Sequence, residues 1–312
     1  NNTVVTIARG AKGTAALQGT LTATAVNGVA TFGGLSYTKA ETMNVTATSS
    51  PVYTSATSTD AVVGPATASK LLFTSVPTGN ATTAGIRGAY AVQVQDAYGN
   101  AQGAHGGLTI LLSSTSASTT KKFYDAATLG NVITSLTLAN GTASGNAWYY
   151  DETTGSPTIQ AASAPLTAAT HSLTVTSAAA ARLAVSGGST MATGGTNAIT
   201  ITAYDTFDNV AAATYTGDKS ITMSGAAASP APASTPPTCT DNMGGAVAFG
   251  TAAPMAFTNG VATSSMRLYK AEVAAINATQ GSLATSATDD LDVTVRHAAT
   301  DHLTFSGPIP VP

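Results

Sequence analysis

One twelve-residue phrase occurs three times in this chain of 312 residues: VNGVATFGGLSY at 26–37, ANGTASGNAWYY at 139–150 and TNGVATSSMRLY at 258–269. A phrase that returns at a near-constant interval indicates one folded unit repeated along the chain. In each copy, alternating apolar runs flank an Asn-Gly pair, which supplies the two positive-φ positions of a tight β-hairpin. We therefore predict three hairpin turns, formed by Asn27 and Gly28, by Asn140 and Gly141, and by Asn259 and Gly260.

An apolar, alternating segment opens each repeat. Its copies are SKLLFTSVP at 69–77, ARLAVSGGS at 181–189 and DHLTFSGPI at 301–309. Alternation of apolar and polar residues predicts a strand with one buried face. We expect a new module to begin at each copy.

A second strand in the repeat runs into a turn rich in Asp and Asn. It reads YAVQVQDAYGN at 90–100 and AITITAYDTFDN at 198–209. Asp accepts backbone N–H groups in such turns, and Gly or Asn suits left-handed backbone. The predicted structural turn residues are Asp96, Gly99, Asn100 and Asp205.

Short strands separated by turn signals, about seven in each repeat, predict antiparallel β-sandwiches. We expect a partial module over 1–68 that lacks its first strands, whole modules over 69–180 and 181–300, and the first strand of a next module over 301–312. The second whole module carries a Pro- and Ala-rich insertion, 225–254. This organisation fits a segment of a longer array, which we favour, or a subunit completed by strand exchange with a neighbouring chain.

These three phrases, which follow one another along the chain as opening strand, Asp turn and Asn-Gly pair, resemble the bacterial immunoglobulin-like (Big-type) repeats of large extracellular surface proteins, along nearly the whole chain. The resemblance implies an all-β fold of tandem immunoglobulin-like antiparallel β-sandwiches. It also implies modules that serve mostly as spacers in adhesins, surface layers, stalks and secreted enzymes. The third module, 181–300, departs from the pattern, because DTFDN replaces the glycine of the turn and a long insertion precedes the Asn-Gly pair.

Composition excludes several functional classes. Charged residues make up only 9% of the chain and the net charge is −3, so we expect no basic surface for nucleic acid. No apolar run approaches the length of a membrane span. Cys239 is the single cysteine, so no disulfide can form within the chain. The low charge and the abundance of Thr favour an extracellular location at a cell surface.

No catalytic or cofactor site is expected, because the four histidines lie scattered without a nucleophile or carboxylate in a recognisable arrangement. Calcium is the one metal to consider, since it tolerates irregular sets of oxygen ligands. The candidate ligands at module junctions are Asp205, Asp208, Asp289, Asp290 and Asp292. The alternative, which we favour, is that these aspartates accept backbone N–H groups in turns.

Two side chains are candidate contact residues. Trp148 lies beside Tyr149 and Tyr150, an aromatic cluster that could stack on a sugar ring. We expect Tyr150 to fill the core and leave the role of Trp148 open. Cys239 lies within 225–254, which we interpret as a low-complexity loop, so its thiol either pairs with a second chain or stays free.

The leading functional hypothesis is a non-catalytic structural segment of a large extracellular protein that forms a rod, filament or surface-layer lattice. Its partners would be neighbouring modules of the same protein. The alternatives are an adhesin stalk or ligand-binding module that recognises a carbohydrate or host surface, and a spacer of a secreted enzyme.

Overall fold

Short strands supply nearly all the regular structure of this protein, in a computed structural model that describes residues 2–299. The predicted first strand over 301–312 lies outside the described residues. Strand formation follows from alternation: buried and exposed side chains alternate along Asn197–Tyr204 and along Leu291–Arg296. Such a period of two matches the pleat of a sheet with one buried face. The prediction of an all-β fold is confirmed.

Three consecutive units contain the strands. The first unit has β1 (Val4–Arg9), β2 (Thr22–Thr24), β3 (Thr42–Met43), β4 (Val45–Ser50), β5 (Ala56–Thr57) and β6 (Ala61–Val62). The second unit has β7 (Ala68–Ser75), a 3-10 turn (Thr78–Asn80), β8 (Ala81–Thr83), β9 (Gly88–Asp96), β10 (Leu108–Ser114), β11 (Lys122–Tyr124), β12 (Val132–Ile133), β13 (Ser135–Leu138), β14 (Ser144–Tyr150), β15 (Thr158–Ala162), β16 (Ala169–Ser172) and β17 (Thr174–Thr176). The third unit has β18 (Arg182–Gly187), β19 (Thr190–Ala192), β20 (Asn197–Tyr204), β21 (Gly217–Ser224), β22 (Thr238–Thr240), β23 (Ala246–Ala248), β24 (Ala252–Phe257), β25 (Val261–Arg267), β26 (Val273–Gln280), β27 (Leu283–Ala284) and β28 (Leu291–Arg296).

The second and third units are immunoglobulin-like sandwiches. In the second unit, a sheet ordered β13-β10-β15-β16 faces a sheet ordered β12-β11-β14-β9-β7. In the third, the sheets are ordered β18-β20-β25-β22-β23 and β19-β28-β26-β21-β24, with β27 beside β26. In both units a short strand follows the first strand and pairs in parallel with the last strand of the unit. These parallel pairs are β8 with β17 and β19 with β28. The apolar residues facing inward form a separate core in each unit.

The first unit contains the counterpart of one sheet of such a sandwich, and beside it a two-stranded pair, β3-β6. The order of that sheet, β2-β1-β4-β5, matches β13-β10-β15-β16 of the second unit. Residues 30–37, which correspond to β14 and β25, form no strand. The physical reason is that β14 and β25 pair with β9 and β20, and residues 2–67 contain no counterpart of those two strands.

The Asn-Gly turns form as predicted at the first and third sites, where antiparallel bridges join Val26 to Val29 and Thr258 to Val261, but the flanking strands do not go on to pair as a hairpin. Both residues have positive φ at Asn27 and Gly28, and at Asn259 and Gly260, whereas at the middle pair only Gly141 does, with φ of 91°. More importantly, the strands on either side belong to different sheets: β13 pairs with β10 but β14 with β9, and β24 pairs with β21 but β25 with β20. In the second and third units the turns therefore carry the chain across the sandwich, because each flanking strand finds its ladder partner in a separate layer.

The insertion 225–254 is not the featureless loop that its composition indicated. It contains β22 and β23, which extend the edge of the sheet beyond β25. Pairing at this edge satisfies backbone groups of β25 that would otherwise face solvent. Cys239 lies in β22 opposite Met266 and is 2% exposed, so its thiol belongs to the core of the third unit and not to a contact surface.

The burial of Cys239 predicts an unreactive thiol. Burial raises the pKa of this thiol to about 11, so very little of it is thiolate at neutral pH. We expect modification by a soluble disulfide reagent to be about a hundredfold slower in the folded protein than in urea. Equal rates in the two conditions, measured by thiol release at pH 8, would show that β22 does not hold its place in the core.

Candidate functional site

The contacts between consecutive units centre on the Asp turns. At the first junction, Asp96 ends β9 and is fully buried. Its carboxylate accepts the backbone N–H groups of Tyr98 and Asn100, at 2.9 and 2.8 Å, within its own turn. It also accepts the N–H of Ala66, at 2.8 Å, in the linker that precedes β7. One side chain thus ties the turn to the linker.

The second junction repeats this arrangement. Asp205, which follows β20, is 1% exposed. It accepts the N–H groups of Phe207 and Asn209 at 2.9 and 3.0 Å, and the N–H of Ala178 in the linker at 2.9 Å. At the position of Gly99, this turn has Asp208 with φ of 65°, so the left-handed backbone is kept although the glycine is not.

An asparagine in each turn reaches the preceding unit. The side-chain amide of Asn100 donates to the carbonyl of Thr38 at 2.9 Å, and its oxygen accepts the N–H of Ala40 at 2.8 Å. The second junction has the same pair of bonds. Asn209 donates to the carbonyl of Glu152 at 2.7 Å and accepts the N–H of Thr154 at 3.0 Å. Each amide also donates to the aspartate of its own turn. Linker, turn and preceding unit therefore form one hydrogen-bonded joint.

An aromatic ring completes the second joint. Phe207 packs against the core of the second unit and lies over Gly85, where an added Cβ would be 2.5 Å from the ring. We call this pairing the ring-and-glycine contact. Its counterpart in the first joint, Tyr98, is 64% exposed, since the described residues of the first unit have no loop equivalent to that of Gly85.

Both joint carboxylates are ionised at neutral pH. Burial alone would raise the pKa of Asp96, but hydrogen bonds from Asn100 and Ala66 lower it below the ordinary value. The pKa of Asp205 is lowered in the same way, chiefly by Asn209. The stabilisation from these anions is therefore present above the ordinary carboxyl pKa of about 4 and is lost as the pH falls through the lowered folded value.

A third Asp turn shows which features belong to the joint and which to the turn. Asp241 accepts the N–H groups of Met243 and Gly245, at 2.9 and 2.7 Å, at the tip of the β22-β23 hairpin. This turn has glycine in place of the asparagine, and Met243 is 89% exposed. The aspartate therefore forms the turn in all three places, while the asparagine of each joint, and the ring of the second joint, connect the turn to the preceding unit.

The aspartates considered as calcium ligands form no common cluster. Within residues 2–299, no group of three or more His, Cys, Asp or Glu side chains is placed to hold a metal ion. Asp208 and Asp289 both pair with the guanidinium of Arg182, at 2.9 and 2.5 Å. Asp290 accepts a hydroxyl hydrogen bond, and Asp292 lies on the exposed face of β28. Asp205, as described, accepts the N–H groups of the joint.

The aromatic cluster on β14 divides between the two faces of its sheet. Tyr149 is fully buried, and its hydroxyl donates to Asp151 at 2.6 Å. Trp148 and Tyr150 are half-buried on the outer face, where Trp148 lies opposite Tyr124 of β11. The prediction that Tyr150 fills the core is wrong by one residue, because strand alternation turns neighbouring side chains to opposite faces.

Sequence reasoning missed several joint residues, among them Gly85, Phe207, Ala66 and Ala178. The alanines had a signal, since each stands five positions before the leucine, Leu71 or Leu183, of a module's first strand. The ring and the glycine had none, because they belong to different repeats.

The comparisons with known proteins find only distant structural matches. No protein-family profile and no curated protein matches this chain. Among solved structures, the Escherichia coli adhesin FdeC matches 82% of this chain and 74% of its own at 18% identity and a TM-score of 0.36. Domains 4–9 of the surface layer protein SbsC match 87% of this chain and 37% of their own at 14% identity and 0.27. A glycosyl hydrolase family 2 member from Bacteroides cellulosilyticus matches 55% and 21% at 10% identity and 0.30. Matches with identities and TM-scores this low carry no argument about this chain. No helix within residues 2–299 is long and apolar enough to cross a membrane.

Proposed function

We propose that this protein is a non-catalytic structural segment of a large extracellular protein, of the bacterial Big-type immunoglobulin-like class, whose modules form a rod, filament or surface-layer lattice. The observation that carries the proposal is the repeated joint. Asp96 with Asn100, and Asp205 with Asn209, bind their linkers and preceding units through the same set of bonds. Recurrence of one joint supports a regular array, in which each unit contacts only its neighbours.

Two further features support this role. Each complete unit buries its own apolar core, as the repeats of an array require. Charged residues make up only 9% of the chain, so repulsion between chains lying side by side would be small. The neighbouring modules of the same protein are the proposed partners.

The test is the stiffness of the joint. The change is Asn209→Ala, which removes the two bonds that reach Glu152 and Thr154. With about 0.5–1.5 kcal/mol for each bond, we expect proteolysis of the linker at 177–181 to become about tenfold faster. Small-angle X-ray scattering should show a broader distribution of lengths than in the unchanged protein.

The matched control is Asn242→Ala, at the tip of the β22-β23 hairpin, which should leave the linker protected. If the unchanged protein already scatters as freely jointed units and its linker is cut as fast as in Asn209→Ala, the joint does not hold the units in a fixed arrangement. The structural role is then rejected. An adhesin stalk or enzyme spacer with flexible modules would then be favoured.

A further inference from the structure

The far end of the third unit repeats the glycine side of the ring-and-glycine contact. Gly194 follows β19 as Gly85 follows β8, and their φ angles are 74° and 79°. The N–H of Gly85 donates to the carbonyl of Asp151, and that of Gly194 to the carbonyl of Leu268, both at 2.8 Å. The two loops therefore have the same backbone shape and the same anchor within their own units.

The two glycines differ in what covers them. Gly85 lies under the ring of Phe207. Around Gly194, none of the residues that the structure describes comes within 4 Å of an added Cβ. The third unit thus has, at Gly194, a surface equivalent to the one at Gly85 that the ring of Phe207 covers in the second unit.

The linker side of the joint is present at the same end. Ala178 stands five residues before Leu183, and Ala298 stands five residues before Leu303 in the sequence. In the joint, the N–H of Ala178 donates to Asp205 of the following unit. The N–H of Ala298 donates instead to the hydroxyl of Thr193, at 3.0 Å, within its own unit.

We propose that this end of the third unit is a docking surface for the Asp turn of one further immunoglobulin-like module, which rests on the structural role proposed above. The turn would carry an aromatic residue at its third position, as Tyr98 and Phe207 do in the two turns of the joints. Its ring would lie over Gly194, and its aspartate would accept the N–H of Ala298, with Thr193 released. A glycine is required there because a Cβ would occupy the position of the ring.

The test supplies such a module from this protein itself. Residues 179–299 are joined after Ala298 of the chain, so that the added copy presents Asp205, Phe207 and Asn209 to Gly194 across a linker of natural length. Protease cleavage is then measured at the new linker and at the linker over 177–181. We expect both linkers to be protected to a similar degree.

Two variants of the extended chain decide the matter. The first is Phe207→Ala in the added copy alone, and the second is Gly194→Leu in the original third unit alone. Each should make cleavage of the new linker about tenfold faster and leave cleavage of the linker over 177–181 unchanged. A side chain at positive φ strains the backbone by itself, and this effect is measured by introducing Gly194→Leu into the chain without the added copy. Its unfolding must be compared before the second result is read.

The inference is overturned if the new linker is cut at one rate in the extended chain and in both variants. Its failure can be told from failure of the structural role by Gly85→Leu, which acts on the existing joint. Faster cleavage over 177–181 in Gly85→Leu, with no effect of Gly194→Leu, would reject the docking surface and leave the structural role standing. No effect of either substitution would reject both.

Discussion

Asp205→Ala is expected to destabilise the third unit and its linker by about 3 kcal/mol or more. The substitution leaves the N–H groups of Ala178, Phe207 and Asn209 without their acceptor, the last of them buried and the other two partly buried. Each buried donor left without a partner costs about 1–3 kcal/mol, less whatever water can reach it. Urea unfolding followed by hydrogen-exchange mass spectrometry would measure the loss, since it reports each unit separately.

The control is Asp241→Ala, which removes the same kind of turn acceptor at the exposed hairpin tip. Water can replace the lost acceptor there, so we expect a cost of about 0.5 kcal/mol. Equal losses for the two substitutions would mean that the cost arises from the turn alone and that the joint adds nothing.

Ile201→Ala is expected to cost the third unit about 2–5 kcal/mol and to leave the second unit unchanged. Ile201 is fully buried in the core of the third unit, and its truncation leaves a cavity as well as less buried apolar surface. Ile110→Ala is the matched substitution in the core of the second unit and should have the reverse effect. The two cores share no buried residue, so we expect little coupling between the substitutions.

Exchange rates in each unit, compared across urea concentrations, would check this pair of variants. Loss of protection in both units from either substitution would contradict separate folding. In that case the joint would couple the two sandwiches into one cooperative unit. The free energy of interaction between them would then have to exceed what the hydrogen bonds and the single ring of the joint supply.

Local patterns in the sequence determined the strands and the turns. Alternation of buried and exposed residues, as along β20 and β28, reports a sheet surface wherever the strand lies. The turn aspartates could be assigned for a similar reason, because Asp96 and Asp205 bind N–H groups two and four residues away. Such contacts depend only on the adjacent chain.

Pairing between strands could not be determined in this way. An Asn-Gly turn looks the same whether its strands pair with each other or separate into two sheets, and here they separate. The same limit explains Cys239: nothing in a Pro- and Ala-rich segment reveals that β25 has an edge for β22 to extend.

The joint shows where sequence information ends in this protein. Repetition along the chain indicated the modules, and Asp96 and Asp205 indicated the turns that connect them. Only the tertiary structure showed that Asn209 and Phe207 bind the unit before their own, since their partners Glu152, Thr154 and Gly85 lie between 55 and 122 residues away in the chain. A contact at that distance depends on how two folded units meet, and no local pattern of apolar and polar residues encodes it.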